Sequence, residues 1–330
     1  MTIIYSIIIF SILIFVHEFG HFGVAKLSGI KVKEFALGMG PAFLKKTWGE
    51  TQYSLRIFPI GGFCSMEGED EESEDQRAFN NKSFPVKAGV LVAGSAMNLL
   101  LAVVVLSSIV FYFGSPTTTL EEINPDSPAA AAGLLVGDQI ISINQAEIKE
   151  WADVSPAINS GAGEKVAVEF SRDGQVMVKE MTPVLEEGRL IVGITPKFEK
   201  NPASAIKYGS IATWEMGIKM IDVLGQLFTG EVSTKELMGP LGIVDAVGDS
   251  AEYGMVYVAQ LAALISLNLA IVNMLPFPAL DGGRLLLLVI RKVTGKAISD
   301  EVEGKIHFIG FALLIFLMLY VTYQDVLRIF

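Results

Sequence analysis

The chain has 330 residues, of which 51% are hydrophobic and 18% are charged, and its formal net charge is −11 at pH 7. This composition, with a mean hydropathy of +0.49, is too apolar for an ordinary soluble protein. The acidic balance argues against nucleic-acid binding, and a single cysteine, Cys64, excludes an internal disulfide.

Four segments are long and apolar enough to cross a bilayer, which takes about 20 residues of helix. They predict transmembrane helices at 1–24, 86–113, 253–275 and 306–328. Lys and Arg are concentrated between the first and second spans and between the third and fourth. The positive-inside rule therefore makes these two loops cytoplasmic, and it leaves both termini and the long middle segment extracytoplasmic.

The first predicted span contains His17, Glu18 and His21 in an H-E-x-x-H pattern. Such groups are costly at membrane depth, by about 2.5–3.5 kcal/mol each, so three of them together indicate chemistry. Residues four apart lie on the same face of a helix, and His17 and His21 can therefore bind one metal ion. Glu18 lies beside them and can act as the general base on water at that metal.

The loop at 25–85 has glycines, prolines and alternating apolar residues between positions 35 and 67. This pattern favours strands over helix and predicts a β-hairpin. The acidic run 67–75 is interpreted as a solvated loop.

The segment 114–197 is predicted to fold as a small β-rich module. Asp173-Gly174 lies between two alternating runs, which is a hairpin signal, and Ser127 and Gly133 are placed to begin and end a short helix. The order S-P-A-x-x-A-G-L-x-x-G-D-x-I resembles a PDZ domain of the bacterial protease type. That resemblance implies binding of an extended peptide or chain end along a groove. A structural spacer that excludes bulky substrates is the alternative.

The segment 198–252 is predicted to contain an amphipathic helix followed by a linker, because apolar residues recur at three- and four-residue intervals. Two surroundings fit this helix equally well, which are the outer membrane surface and the base of the PDZ module.

A catalytic zinc site has three protein ligands, so two histidines leave one ligand to be found. Asp281 directly follows the third span, on the side where the first span also ends, and the charge pattern brings it to the depth of His17 and His21. A helix cap is the alternative role for Asp281. The segment 276–305 is otherwise predicted to be a cytoplasmic loop, and His307 is interpreted as an interfacial histidine.

Taken together, H-E-F-G-H and N-M-L-P-F-P-A-L-D-G-G (273–283) resemble the motifs of the site-2 protease family of intramembrane zinc metalloproteases. The similarity is strongest to the bacterial branch that regulates sigma factors. M-G-P-L-G-I (238–243) also resembles a segment of that family, as does G-S-A-M-N (94–98), although Ser95 replaces a proline there. The resemblance implies roles for seven residues: zinc ligands His17, His21 and Asp281, catalytic base Glu18, and substrate contacts at Asn273, Pro276 and Pro278.

The expected fold is a polytopic α-helical membrane protein with four transmembrane helices, a membrane-associated β-hairpin loop and one inserted extracytoplasmic PDZ domain. The resemblance implies Zn²⁺-dependent hydrolysis of transmembrane segments of single-span membrane proteins in the bacterial cytoplasmic membrane, with the active site toward the cytoplasm. Expected substrates are anti-sigma factors or remnant signal peptides, cleaved in regulated intramembrane proteolysis. A non-catalytic PDZ adaptor is the leading alternative, but an adaptor has no need for Glu18. A metal transporter is the second alternative, but the polar residues of a transporter would be spread over several spans.

Overall fold

A computed structural model describes residues 1–69, 71, 73–186, 188–233, 237–295 and 300–329. The chain divides into two compact units. The membrane unit consists of Met1–Ile109 and Gly209–Phe330, and the inserted unit consists of Val110–Tyr208.

The helices and strands follow one another along the chain in this order. In the first part of the membrane unit they are α1 (Thr2–Leu27), β1 (Val32–Trp48), β2 (Thr51–Met66) and α2 (Phe84–Phe113). The inserted unit contains β3 (Ser115–Ile123), α3 (Pro128–Ala131), β4 (Gln139–Ile143), β5 (Ala146–Glu147), α4 (Val154–Asn159), β6 (Val166–Arg172), β7 (Gln175–Met181), β8 (Val184–Glu186), β9 (Arg189–Ile191) and β10 (Ile194–Glu199). The remaining helices are α5 (Pro202–Thr229), α6 (Pro240–Tyr253), α7 (Met255–Asn273), α8 (Asp281–Thr294) and α9 (Asp300–Ile329).

Four of these helices are long and apolar enough to cross a membrane, as the sequence predicts. They comprise Thr2–Leu27, Phe84–Phe113, Met255–Asn273 and Glu301–Arg328. In the most apolar stretch of the last helix only 11% of residues are buried inside the protein. Exposed apolar side chains of this kind suit a helix whose surroundings are lipid, because lipid tails are as apolar as the side chains themselves.

Strands β1 and β2 occupy the region for which the sequence predicts a hairpin, but their pairing is more complex than a simple hairpin. Residues 34–37 of β1 take partners from two stretches of β2, 52–55 and 62–65. Gly38 and Gly40 have φ angles of +88° and +83°, a conformation that favours glycine, and they let β1 change direction. The stretch 62–65 lies beside α1, with Gly62 facing Ile14 and Glu18.

The inserted unit is built on a sheet in the order β10-β3-β4-β6-β7, with β5 beside β4. Ser127 caps α3, since its Oγ accepts a hydrogen bond from the backbone N–H of Ala130 at 3.2 Å. Asp173-Gly174 forms the turn between β6 and β7, at the position that the sequence indicates. The unit has its own core, which includes Leu120, Ile140, Ile143, Val166, Val168 and Phe170.

Helix α5 lies in the segment for which the sequence predicts an amphipathic helix, but the sequence anticipated neither all of its contacts nor the helix that follows. Within the membrane unit α5 packs on α2 and α7, where Met216 and Met220 join a cluster with Leu106 and Leu267. At its start α5 also contacts the inserted unit, because Tyr208 Oη donates a hydrogen bond to Glu150 Oε2 at 3.2 Å, and its contact with the outer membrane surface stays a prediction. Helix α6 occupies most of the stretch that was predicted to be a linker.

The segment 276–305, predicted to be a cytoplasmic loop, contains helix α8, which begins at Asp281 and ends at Thr294, and its placement on the cytoplasmic side stays a prediction. Local signals for this helix are present in the sequence. Asp281 supplies an acidic first turn, Arg291 and Lys292 supply a basic last turn, and Gly295 ends the helix with a φ of +66°.

Candidate active site

His17, His21 and Asp281 meet in the membrane unit, with their ligand atoms close enough to hold one metal ion. The Nε2 atoms of the two histidines are 3.2 Å apart. Asp281 Oδ2 lies 3.2 Å from His17 Nε2 and 3.4 Å from His21 Nε2. The structure thus brings together two residues of α1 and the first residue of α8 in a nearly equilateral triangle, which is called the ligand triangle below.

The dimensions of the ligand triangle fit zinc. Ligand atoms about 2.0–2.2 Å from a tetrahedral zinc ion are roughly 3.3–3.6 Å from one another. Asp281 Oδ2 is buried and takes part in no hydrogen bond with any of the described residues, although two imidazole nitrogens face it. A buried carboxylate oxygen that lacks such a bond is costly unless a cation binds it. The donor set of two imidazoles and one carboxylate is one that catalytic zinc sites use.

Helix α2 supports both histidines from behind. His21 Nδ1 donates a hydrogen bond to the backbone carbonyl of Val90 at 2.8 Å, which leaves Nε2 with a lone pair for a metal. Gly94, one turn further along α2, provides the room for the rings: a Cβ atom there would lie 2.4 Å from His21 Nε2. The segment G-S-A-M-N (94–98) begins at this glycine, but its sequence does not reveal that Gly94 makes room for the two imidazole rings.

Asn98 continues the same face of α2 and approaches the other histidine. Its side-chain amide lies 3.4 Å from His17 Nδ1, and the residue is fully buried. Ser266 on α7 donates a hydrogen bond to the backbone carbonyl of Asn98 at 2.8 Å. Asn98 therefore connects α1, α2 and α7 next to the ligand triangle.

Tight turns before α8 bring Asp281 to the histidines. A Cβ atom at Gly282 would lie 2.3 Å from the carbonyl oxygen of Met274, and one at Gly283 would lie 2.1 Å from that of Phe277. Only glycine fits at such distances, so the Gly282-Gly283 pair is a requirement of the turn. His307 on α9 also contributes, because its Nδ1 accepts a hydrogen bond from the backbone N–H of Ala279. Its interpretation as an interfacial histidine overlooked this contact.

Glu18 lies next to the two histidines on α1, and Gly62 of β2 faces its side chain. A Cβ atom at Gly62 would be 3.3 Å from Glu18 Cγ, so a larger residue there would press on the glutamate. The loop after β2 is joined to α8 by an ion pair in which Arg284 Nη1 donates to Glu69 Oε1 at 2.6 Å. A polar cavity of about 460 Å³ adjoins this pair and extends to His307.

The three residues predicted to contact substrate lie around the turn before α8. Asn273 is the last residue of α7, Pro276 is exposed, and Pro278 packs against Gly310 of α9. They are not members of the ligand triangle, and their contact with substrate stays a prediction.

Comparison with known proteins gives a family match over almost the whole chain. The model of peptidase family M50 matches residues 5–317. The regulator of sigma-W protease RasP from Bacillus subtilis is 32% identical, with 100% of this chain and 99% of that protein covered. The zinc metalloprotease RasP from Geobacillus kaustophilus is 31% identical, with 100% and 98% covered. A Clostridium acetobutylicum protein whose name includes zinc metalloprotease is 39% identical, with 98% and 97% covered.

A solved structure, the PDZ domain of an SdrC-like protein from Listeria monocytogenes, is 23% identical to this chain, with a TM-score of 0.21. The match covers 26% of this chain and 88% of that chain. The alignment with the Bacillus subtilis protease spans 417 positions, so at least 87 of them have no counterpart among the 330 residues here.

Proposed function

The chain belongs to peptidase family M50, the site-2 protease family, and from that membership we propose that it hydrolyses peptide bonds in the transmembrane segments of single-span membrane proteins. It is a zinc metalloendopeptidase of the bacterial cytoplasmic membrane. Membership of a peptidase family argues against the two alternative functions, a non-catalytic PDZ adaptor and a metal transporter. The observation that carries the proposed site is the ligand triangle, whose edges of 3.2–3.4 Å fit zinc.

In the proposed mechanism His17, His21 and Asp281 hold the zinc ion. Bound there, zinc supplies a Lewis acid that polarises the scissile carbonyl and activates water for attack. The carboxylate of Glu18 takes the proton from the attacking water and then delivers it to the nitrogen of the leaving amine. The Val90 carbonyl orients His21 through Nδ1, and Asn98 contacts Nδ1 of His17, so both rings are held for their task.

A substrate helix hides its peptide carbonyls in its own hydrogen bonds, so the segment to be cut must unwind. We propose that the β1–β2 sheet pairs with the unwound segment at an edge, as peptides add to other sheets. The position of Gly62 against Glu18 supports this, because the stretch 62–65 of β2 lies next to the catalytic base. Asn273, Pro276 and Pro278 would contact the same segment from the other side of the site.

We propose the orientation that the charge pattern indicates, with the ligand triangle toward the cytoplasm and both termini and the inserted unit outside. Of the predicted segments, 1–24, 86–113, 253–275 and 306–328 would span the membrane, and 114–197 would be the PDZ domain. The polar cavity beside Arg284 supports a route for water from the cytoplasmic side. The PDZ domain would bind extended chain ends or exclude bulky substrates.

The substrate class is proposed from the relatives. The name of the Bacillus subtilis relative connects that protease to sigma-W, which supports membrane-bound anti-sigma factors as substrates and a role in regulated intramembrane proteolysis. Remnant signal peptides are single-span segments of the same kind and are the second candidate.

A pair of matched substitutions tests the proposal in reconstituted membranes with a model single-span substrate. Glu18→Gln should retain zinc and lose cleavage, whereas Glu252→Gln, an exposed glutamate on α6, should retain both. Asp281→Asn should reduce the zinc content. Undiminished cleavage by Glu18→Gln would refute the role of the base, and an unchanged zinc content in Asp281→Asn would remove that residue from the ligands.

A further inference from the structure

Helix α9 holds the turn that carries Asp281 at two points on one face. His307 Nδ1 accepts a hydrogen bond from the backbone N–H of Ala279 at 3.0 Å. Three residues further along, Gly310 lets Pro278 approach, since a Cβ atom at position 310 would lie 2.4 Å from Pro278 Cβ and 2.5 Å from its carbonyl oxygen. Residues three apart are neighbours on a helix surface, so His307 and Gly310 form one cradle for Pro278-Ala279.

The backbone of this turn has a conformation that residues other than glycine rarely adopt. Ala279 has a φ of +75°, in the region where a Cβ atom clashes with the backbone and where glycine is the usual residue. Such a conformation persists only when its surroundings over-determine it. Ala279 lies two residues before Asp281, so its conformation directs the chain into the first turn of α8 and toward the ligand triangle.

The hydrogen bond also determines which nitrogen of His307 carries the proton in the neutral ring. Because Nδ1 accepts from Ala279, the proton is on Nε2, which faces Glu303 Oε1 at 3.7 Å. Glu303 in turn accepts a hydrogen bond from Arg291 in the last turn of α8. His307 is therefore placed between the turn before α8 and an ion pair near the end of the same helix.

We propose that His307 is a positioning residue that holds the backbone at Ala279 and thereby keeps the Asp281 carboxylate in the ligand triangle. This inference rests on the proposed function in one respect, the assignment of Asp281 as a zinc ligand. His307 itself is not part of the ligand triangle. In this role His307 acts through Nδ1, which accepts the hydrogen bond from the backbone N–H of Ala279. A side chain that only fills space would not need an acceptor at this position.

Three substitutions in the full-length protein in lipid nanodiscs distinguish an acceptor from a space filler. In His307→Asn the amide Oδ1 is as many bonds from Cα as Nδ1 of histidine, so it can accept from Ala279. His307→Gln keeps a polar amide of similar size but places its oxygen one bond further along. His307→Leu removes the acceptor entirely. The readouts are deuterium exchange of the peptide that contains Ala279 and the rate of zinc release to a chelator.

We expect His307→Asn to keep the slow exchange at Ala279 and to release zinc within about threefold of the wild-type rate. His307→Gln and His307→Leu should exchange faster at Ala279 and release zinc about tenfold faster or more, the size of effect typical of residues that orient metal ligands. Slow exchange and slow release in both of these variants would overturn the proposal. So would equal losses in His307→Asn and His307→Leu, because they would show that the ring shape matters and the acceptor does not. If His307→Leu fails to fold, the comparison of the Asn and Gln variants still decides.

Failure of the proposed function would look different. Cleavage that survives in Glu18→Gln refutes the catalytic role and leaves the exchange result at Ala279 unaffected. Zinc that is retained in Asp281→Asn refutes the ligand assignment and with it the positioning proposal, whatever the His307 variants do.

Discussion

The Nε2 atom of His21 occupies the space that a side chain at Gly94 would need. A Cβ atom at Gly94 would lie 2.4 Å from His21 Nε2 and 2.8 Å from His17 Nε2. The imidazole rings of both histidines therefore pack against α2 at a position that is open because the residue there is glycine. Helix α2 thus positions the ligand triangle through close packing as well as through hydrogen bonds.

Gly94→Ala should consequently push the imidazoles out of position and weaken zinc binding about tenfold or more, by analogy with changes to groups that orient metal ligands. Alanine favours a helix over glycine by about 1 kcal/mol, so helix propensity alone would stabilise α2. Zinc content after dialysis against a weak chelator is the measurement. Gly89→Ala on the same helix is the control, because a Cβ atom there would lie 3.8 Å from Val24. Full zinc content in Gly94→Ala would mean that the histidines can adapt.

Asn98 provides a second test of the support from α2. Zinc needs the lone pair of His17 Nε2, so Nδ1 must carry the proton, and Asn98 must then present Oδ1 to it. Asn98→Ala removes this partner and should weaken zinc binding about 10- to 100-fold. Ser95→Ala is the control, since the Ser95 hydroxyl is buried without a hydrogen-bond partner among the described residues. Equal zinc affinities in the two variants, measured by competition with a chelator, would argue against a role for Asn98.

The sequence was most informative where the chemistry depends on spacing within one segment. His17, Glu18 and His21 could be assigned because helical geometry places residues four apart on one face. Asp281 required more, since charge patterning gave its side of the membrane and the family motif gave its role. The structure then places its carboxylate within 3.4 Å of both histidines.

The contacts that support the site could not be predicted, because each joins segments that are remote in the chain. Gly94 and His307 owe their roles to helix packing that no local pattern encodes. Helix α8 is a different case, since its acidic start, basic end and terminal glycine were visible in the sequence.

In the inserted unit, the Asp138–Arg172 pair is expected to contribute stability that depends on pH. Arg172 donates to both carboxylate oxygens at 2.7 and 2.8 Å, and Leu135 N–H donates at 2.8 Å. Burial alone would raise the pKa of Asp138, but these hydrogen bonds hold the pKa below its usual value. A carboxyl whose pKa is lower in the folded state stabilises the fold above its unfolded pKa, near 3.9, and this stabilisation is lost as the pH falls through the folded pKa.

Asp138→Asn should therefore destabilise the inserted unit by about 2 kcal/mol at pH 7, the order of a lost charge-assisted hydrogen bond. The difference from wild type should shrink as the pH falls below 4, because the wild-type carboxyl then becomes neutral as well. Deuterium exchange of β4 and β6 in the full-length protein measures the effect. Glu180→Gln is the control, since its exposed side chain lies 3.8 Å from Lys165 and should contribute little. A constant difference between pH 7 and pH 3 would contradict the assignment.

Asp325 near the end of α9 explains the two glycines of the M-G-P-L-G-I segment. The residue is fully buried, and its carboxylate accepts hydrogen bonds from the backbone N–H groups of Gly239 at 3.1 Å and Gly242 at 2.9 Å. A Cβ atom at either glycine would lie within 3.0 Å of the carboxylate oxygens. The N-terminus of α6, where the helix dipole is positive, thus receives a negative charge from another helix.

Asp325→Ala should lower the stability of the membrane unit by about 2–4 kcal/mol, because it leaves two buried N–H groups unsatisfied. Asp325→Asn keeps one acceptor and should lose less. Unfolding of the full-length protein with increasing concentrations of a denaturing detergent measures the stability of both variants. Gln324→Ala, at the adjacent position, is the control. If Asp325→Ala unfolds at the same denaturant concentration as Gln324→Ala, the N–H groups of Gly239 and Gly242 have found other acceptors. The ordering of wild type above Asn above Ala is what a carboxylate cap on α6 requires.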